Sequence, residues 1–138
     1  MTRLMTALLA ATLLACGDHG HGHDHGHGSH DHHHDPKHGG HLTELGAHEG
    51  FLETKLDHAA GTLTIWIYLG EEMIDTQPAR EPVLNLKTKD GPKSLTAKRE
   101  GDHWVFRDDA LKSDPEEARF RIVAGGKTYT PELVHHHE

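Results

Sequence analysis

Histidine is far out of proportion in this chain, and its spacing suits metal chemistry. Of the 17 histidines, eleven fall in one run: His19, His21, His23, His25, His27, His30, His32, His33, His34, His38 and His41. Neutral imidazole is a good ligand for Zn, Ni and Cu(II), and with an ordinary pKa of about 6.5 most such rings are ligand-competent at pH 7. In an extended chain, His19 to His27 project on one side at intervals of roughly 6.5–7 Å. The intervening glycines let the backbone fold until two or three ring nitrogens reach one ion at about 2 Å. Asp18, Asp24, Asp31 and Asp35 are placed to complete a shell or to orient an imidazole through its second nitrogen. At three or four ligands per ion, eleven histidines hold roughly two to four ions. No Met or Cys cluster favours Cu(I); aspartate among imidazoles leans toward Zn or Ni, with Cu(II) a strong competitor. Chelation by a loop that must be ordered first exchanges readily, which suits a buffer or relay better than a catalytic centre.

The remaining histidines are His48, His58, His103 and the terminal His135-His136-His137. Single histidines in β-domain loops read as surface residues. His48, Glu49 and the terminal triplet would form a second metal site if the last strand ended near the first. Catalytic patterns are lacking. Ser29, Ser94 and Ser113 stand in no recognisable nucleophile context, and there is no HExxH motif or phosphate loop. The carboxylate pairs Glu71-Glu72, Asp108-Asp109 and Glu116-Glu117 are sequence neighbours that point apart, so they read as solvated surface. The chain reads as a non-enzyme. Its net charge of −8, from 14 basic and 22 acidic residues, also argues against a nucleic-acid binder.

The elements that must position these histidines divide the 138 residues into three parts. Residues 17–41 contain nothing apolar, so this stretch has no surface to bury and is expected to be a disordered tether. Gly-rich chain of that length has an r.m.s. reach of about 25–30 Å. Ahead of it, Arg3 precedes a run from Leu4 to Leu14 that would span roughly 16 Å as a helix, too short to cross a bilayer and right for a secretory signal. The run ends in Leu13-Leu14-Ala15-Cys16, which resembles the lipobox of bacterial lipoproteins. That resemblance implies cleavage of residues 1–15 and lipidation of Cys16, with two or three acyl chains as a stable membrane anchor. Cys16 is the only cysteine, so its acylation leaves no thiol for a disulfide or a thiolate metal site. Gly17, rather than Asp, follows the cysteine, which favours the periplasmic side of the outer membrane.

Residues 42–138 read as a β domain with a short histidine tail. Leu52, Thr54 and Leu56 alternate with Phe51, Glu53, Lys55 and Asp57. From Thr62 to Leu69, Leu63, Ile65, Ile67 and Leu69 share one face and Trp66 and Tyr68 the other, so this strand is expected to be covered on both faces. Further strands lie around Leu84-Leu86, Leu95-Ala97 and His103–Arg107, the last with Trp104 and Phe106 pointing the same way. Asp114, Pro115 and Glu117 have the spacing of a capped helical turn. A closing hairpin turns at Gly125-Gly126, with Phe120 and Ile122 inward. Seven or eight short strands without a long helical period predict an antiparallel, immunoglobulin-like β-sandwich, with a small barrel as the alternative.

His38-Gly39-Gly40-His41-Leu42-Thr43-Glu44-Leu45-Gly46, the segment Asp57–Ile65, and Gly125-Gly126-Lys127-Thr128-Tyr129 resemble a small periplasmic domain. Such domains occur in bacterial heavy-metal resistance lipoproteins and at the amino end of some adaptor subunits of metal-efflux pumps. The resemblance implies a β-sandwich in a metal-handling setting and supplies no ligand set. It makes a metal transporter or efflux component the expected protein partner. The overall expectation is an envelope lipoprotein, facing the periplasm or the cell surface, that binds divalent transition metal through its histidine run. The competing expectation is a non-catalytic envelope interaction module with that run as a spacer.

Overall fold

A computed structural model describes residues 34–134. The leader, Cys16, the eight histidines from His19 to His33 and His135-His136-His137 lie outside the described residues. Ten strands follow one another: β1 (His41–Leu45), β2 (Gly50–Asp57), β3 (Thr62–Leu69), β4 (Ile74–Asp75), β5 (Val83–Thr88), β6 (Gly91–Thr96), β7 (Lys98–Glu100), β8 (His103–Arg107), β9 (Glu117–Ala124) and β10 (Lys127–Tyr129). They form two antiparallel sheets, ordered β1-β2-β3-β8-β7 with β4 pairing on β3, and β10-β9-β5-β6. The sheets pack face to face as a sandwich.

The alternating pattern fixes which residues face inward. Leu52 lies opposite Ile67 and Leu56 opposite Leu63, which puts the inward residues of β2 and β3 on one face. The second sheet answers with Leu84 beside Phe120 and Leu86 beside Ala118. Leu52, Leu63, Ile65, Leu84, Phe106, Phe120 and Ile122 are wholly buried between the layers. Phe106 and Phe120 meet across the core with ring centroids 5.9 Å apart and planes at 53°, a tilted aromatic contact.

The helical turn lies upstream of its expected place at Asp114–Glu117. It is a short 3-10 segment, Asp109–Lys112, whose amino end is capped by the Asp108 carboxylate accepting from Ala110 N at 2.9 Å. Burial of Leu111 draws the turn inward. Glu117 is already strand, paired with Lys87, so a helix at Pro115 would have removed a rung of the ladder. Alternation does not mark β1, because Leu45 is its only buried residue. No helix among the described residues is long and apolar enough to cross a membrane.

Replacing Phe120 by Ala leaves a void against Phe106. It is expected to lower unfolding free energy by about 3–5 kcal/mol, read as a fall in the denaturation midpoint at unchanged slope.

Candidate functional site

The second face of the larger sheet carries its own buried cluster, Trp66, Tyr68 and Met73, with Leu42 and Phe51 packed against it. Strand register assembles it: Glu53 stands opposite Trp66, Phe51 opposite Tyr68, and Tyr68 opposite Asp75. In the alternation of β2, Glu53 reads as an outward, solvated residue, yet its exposure is 0%. What covers it is chain from the end of the histidine run. Residues 34–40 lie on this face, and their backbone supplies the charge of Glu53 with donors.

Glu53 Oε1 accepts from His38 N at 2.7 Å and Gly40 N at 3.0 Å. Oε2 accepts from Lys37 N at 3.1 Å and from the Tyr68 hydroxyl at 2.9 Å. The His38 ring lies on Trp66 with centroids 4.1 Å apart and planes within 5°. Its Nδ1 is 3.0 Å from Tyr68 Oη and 3.3 Å from Glu53 Oε2. Lys37 reaches across the Tyr68 ring, 4.7 Å from its centroid, to donate to Met73 O at 2.7 Å. That carbonyl belongs to a non-glycine residue with φ of 52°, a conformation worth about 1 kcal/mol of local strain. The His34 ring contacts Phe51, with centroids 4.4 Å apart.

The Gly39-Gly40 pair makes this approach feasible. Gly39 has φ of +72°, and a Cβ on Gly40 would fall 2.5 Å from Thr54 O and 3.0 Å from Glu53 Cγ. A side chain there would push Gly40 N off the carboxylate. Burial drives the Glu53 carboxyl up, but the bonds from Gly40, Tyr68 and His38 outweigh it and hold the group below the usual carboxylate range. Burial and then the bond to Glu53 push the Tyr68 phenol well above its ordinary value, so it remains a donor.

Sequence-expected site residues fall into three sets. His34, His38 and His41, expected in a disordered tether ending at residue 41, belong to the folded domain: His41 opens β1 and His38 docks on Glu53. The boundary expected at Leu42 is corrected for a physical reason. Backbone N–H groups, which composition does not register, do the docking. His48 and Glu49 are not joined into one site. The exposed His48 pairs with Glu44, Nδ1 to Oε1 at 2.9 Å, from a left-handed turn position. Glu49 accepts from Lys127 Nζ at 2.5 Å, and that bond, followed by one from Tyr129, holds its carboxyl low. β10 does approach the β1–β2 turn, but it brings an ammonium there. The terminal triplet lies outside the described residues, as do Cys16 and the histidines from His19 to His33.

Among the described residues no three His, Cys, Asp or Glu side chains converge as a metal shell. Outside the run, His58 is tied at both nitrogens, to Leu111 O at 2.8 Å and Asp114 at 3.3 Å. His103 lies against Trp66, with centroids 5.6 Å apart, and its Nδ1 is 2.8 Å from Asp102 Oδ1. Glu53 itself was not singled out from sequence. The signal available was Trp66 and Tyr68 on the outer face of β3, which demanded a cover and put Glu53 beneath it.

The chain matches no protein-family model, no curated protein and no solved structure.

Glu53→Gln turns one buried oxygen into a donor facing donors, and is expected to cost about 2–3 kcal/mol. The folded carboxyl lies below its ordinary value of 4.5. Its contribution is therefore full above that value and is lost as pH falls through the lower folded one. Acid titration followed by tryptophan fluorescence should show release of the Trp66 face below the ordinary carboxylate value of 4.5, a transition absent from Glu53→Gln. An identical acid transition in the variant would contradict the assignment.

Proposed function

We propose that this protein is a lipid-anchored envelope protein that binds divalent transition metal, Zn, Ni or Cu(II), through its histidine run. It buffers the ion or hands it to a transport or efflux component. The observation that carries this reading is the clustering of eleven histidines with glycine and aspartate directly after the lipobox-like Cys16. The folded domain supports it in a specific way: two histidines near the end of the run, His34 and His38, lie against aromatic rings of the domain. A spacer needs no such seat for its imidazoles. Borderline imidazole ligands with few carboxylates favour Zn, Ni and Cu(II) over Mg or Ca.

The test compares the full chain with one in which the eight histidines from His19 to His33 are serine, a change that leaves residues 34–134 intact. At pH 7.5 the full chain should take up roughly two to four Zn(II) ions and the variant at most one. Equal uptake by the two chains would overturn the role of the run.

Protonation sets a second expectation. Bound metal should be released progressively from about pH 7 to pH 5 as imidazoles gain protons, read by a colorimetric chelator. Full retention at pH 5 would point to carboxylate-dominated sites instead.

A further inference from the structure

Residues 34–45 form an arm laid across the larger sheet. Its strand, β1, stands at the sheet edge and pairs with β2 alone. Ahead of β1, the backbone of Lys37, His38 and Gly40 donates to Glu53. The His38 ring lies on Trp66, and the Lys37 ammonium reaches Met73 O over the Tyr68 ring. The seat is selective for this stretch. It offers a buried carboxylate to successive main-chain donors, a carbonyl and an aromatic face to an ammonium, and an indole to a flat ring. At Gly40 it leaves no room for a Cβ, which would fall 2.5 Å from Thr54 O.

Four residues, Gly46 to Glu49, join the arm to the strand it lies on, and this connection is strained. Gly46 has φ of 60°, which glycine tolerates, but His48 has φ of 58° and carries a Cβ. Its side chain is 79% exposed, so no burial offsets the conformation. What holds it closed is the partly exposed Glu44 carboxylate, which accepts from His48 N at 2.5 Å and lies 2.9 Å from its Nδ1. A left-handed position with a Cβ disfavours the closed turn by about fivefold or more. Extending the turn relieves that strain. A second copy of the chain then offers the arm an identical seat, so every contact of the arm is regained and only the turn is lost.

We propose that residues 34–45 exchange between two copies of this chain, each arm lying on the Glu53–Trp66 face of the other, with Gly46–Glu49 as the hinge. Glu53 of one copy is then satisfied by backbone donors of the other, and the described face is completed in trans. The arm of the same chain competes at an effective concentration of about 1 mM, so the closed monomer prevails in dilute solution and the exchanged pair forms as the chain is concentrated. Exchange is independent of metal, because every group it uses lies in the folded domain.

The experiment uses the full chain in detergent micelles. Equal amounts of 13C-labelled and unlabelled chain are unfolded in urea, refolded together and brought to about 1 mM. Isotope-filtered spectra should show contacts between Trp66 of one copy and His38 of the other, and these should fade on tenfold dilution. His48→Gly takes the left-handed turn without strain and should lower the association constant by about twentyfold or more, since two hinges are involved. His48→Pro, whose ring holds φ at about −65°, cannot close the turn and should make the exchanged pair the main species. Trp66–His38 contacts confined to single copies at every concentration would overturn the proposal. So would an association constant unchanged in His48→Gly, or a monomeric His48→Pro chain whose arm is undocked. Should His48→Pro fail to fold, the contacts between copies and the His48→Gly comparison decide.

Discussion

A carboxylate can be buried only if donors replace the water it loses, and the arrangement of this domain turns on how Glu53 meets that demand. Its β2 position puts it beside Trp66 and near Tyr68 on the outer face of the larger sheet. The sheet offers one side-chain donor, Tyr68. The others come from the backbone of residues 37–40 and the His38 ring, so this segment must lie across the face. Once there, the segment covers an aromatic surface that would otherwise be wet. The polar and apolar terms reinforce each other. Loss of the charge would release the segment, and loss of the segment would strand the charge.

That constraint fixes the carboxyl-terminal end of the histidine run, residues 34–40, on Trp66 and Glu53. Chain built on glycine has many conformations to surrender when it is ordered, and for these residues folding of the domain offsets that cost. The ladder that pairs Gly50 with Leu69 through to Asp57 with Thr62 holds β2 and β3 in register beneath this face.

Much of the sandwich was legible because burial leaves a period of two in the sequence. Leu63, Ile65 and Ile67 against Trp66 and Tyr68 announced a strand covered twice. The Gly125-Gly126 turn and the inward Phe120 and Ile122 were equally plain. The capped turn was displaced because Asp108 and Asp114 are both competent caps, and only the buried Leu111 and the pairing of Glu117 decide between them. The docking site was hidden for a deeper reason. Glu53 shares its face of β2 with Lys55 and Asp57, which read as solvated, and most of its partners are main-chain N–H groups that every residue carries. Gly39 and Gly40 looked like two more tether glycines, whereas Gly40 is where the backbone must pass a Cβ-width from Thr54 O.

The central claim is that the end of the histidine run is a folded part of the domain, held there by Glu53. Amide hydrogen exchange at Lys37, His38 and Gly40, in the unaltered chain and in Glu53→Gln, tests it most directly. The account predicts protected amides in the unaltered chain and faster exchange in the variant. Exchange at the rate of unstructured chain in both would contradict it.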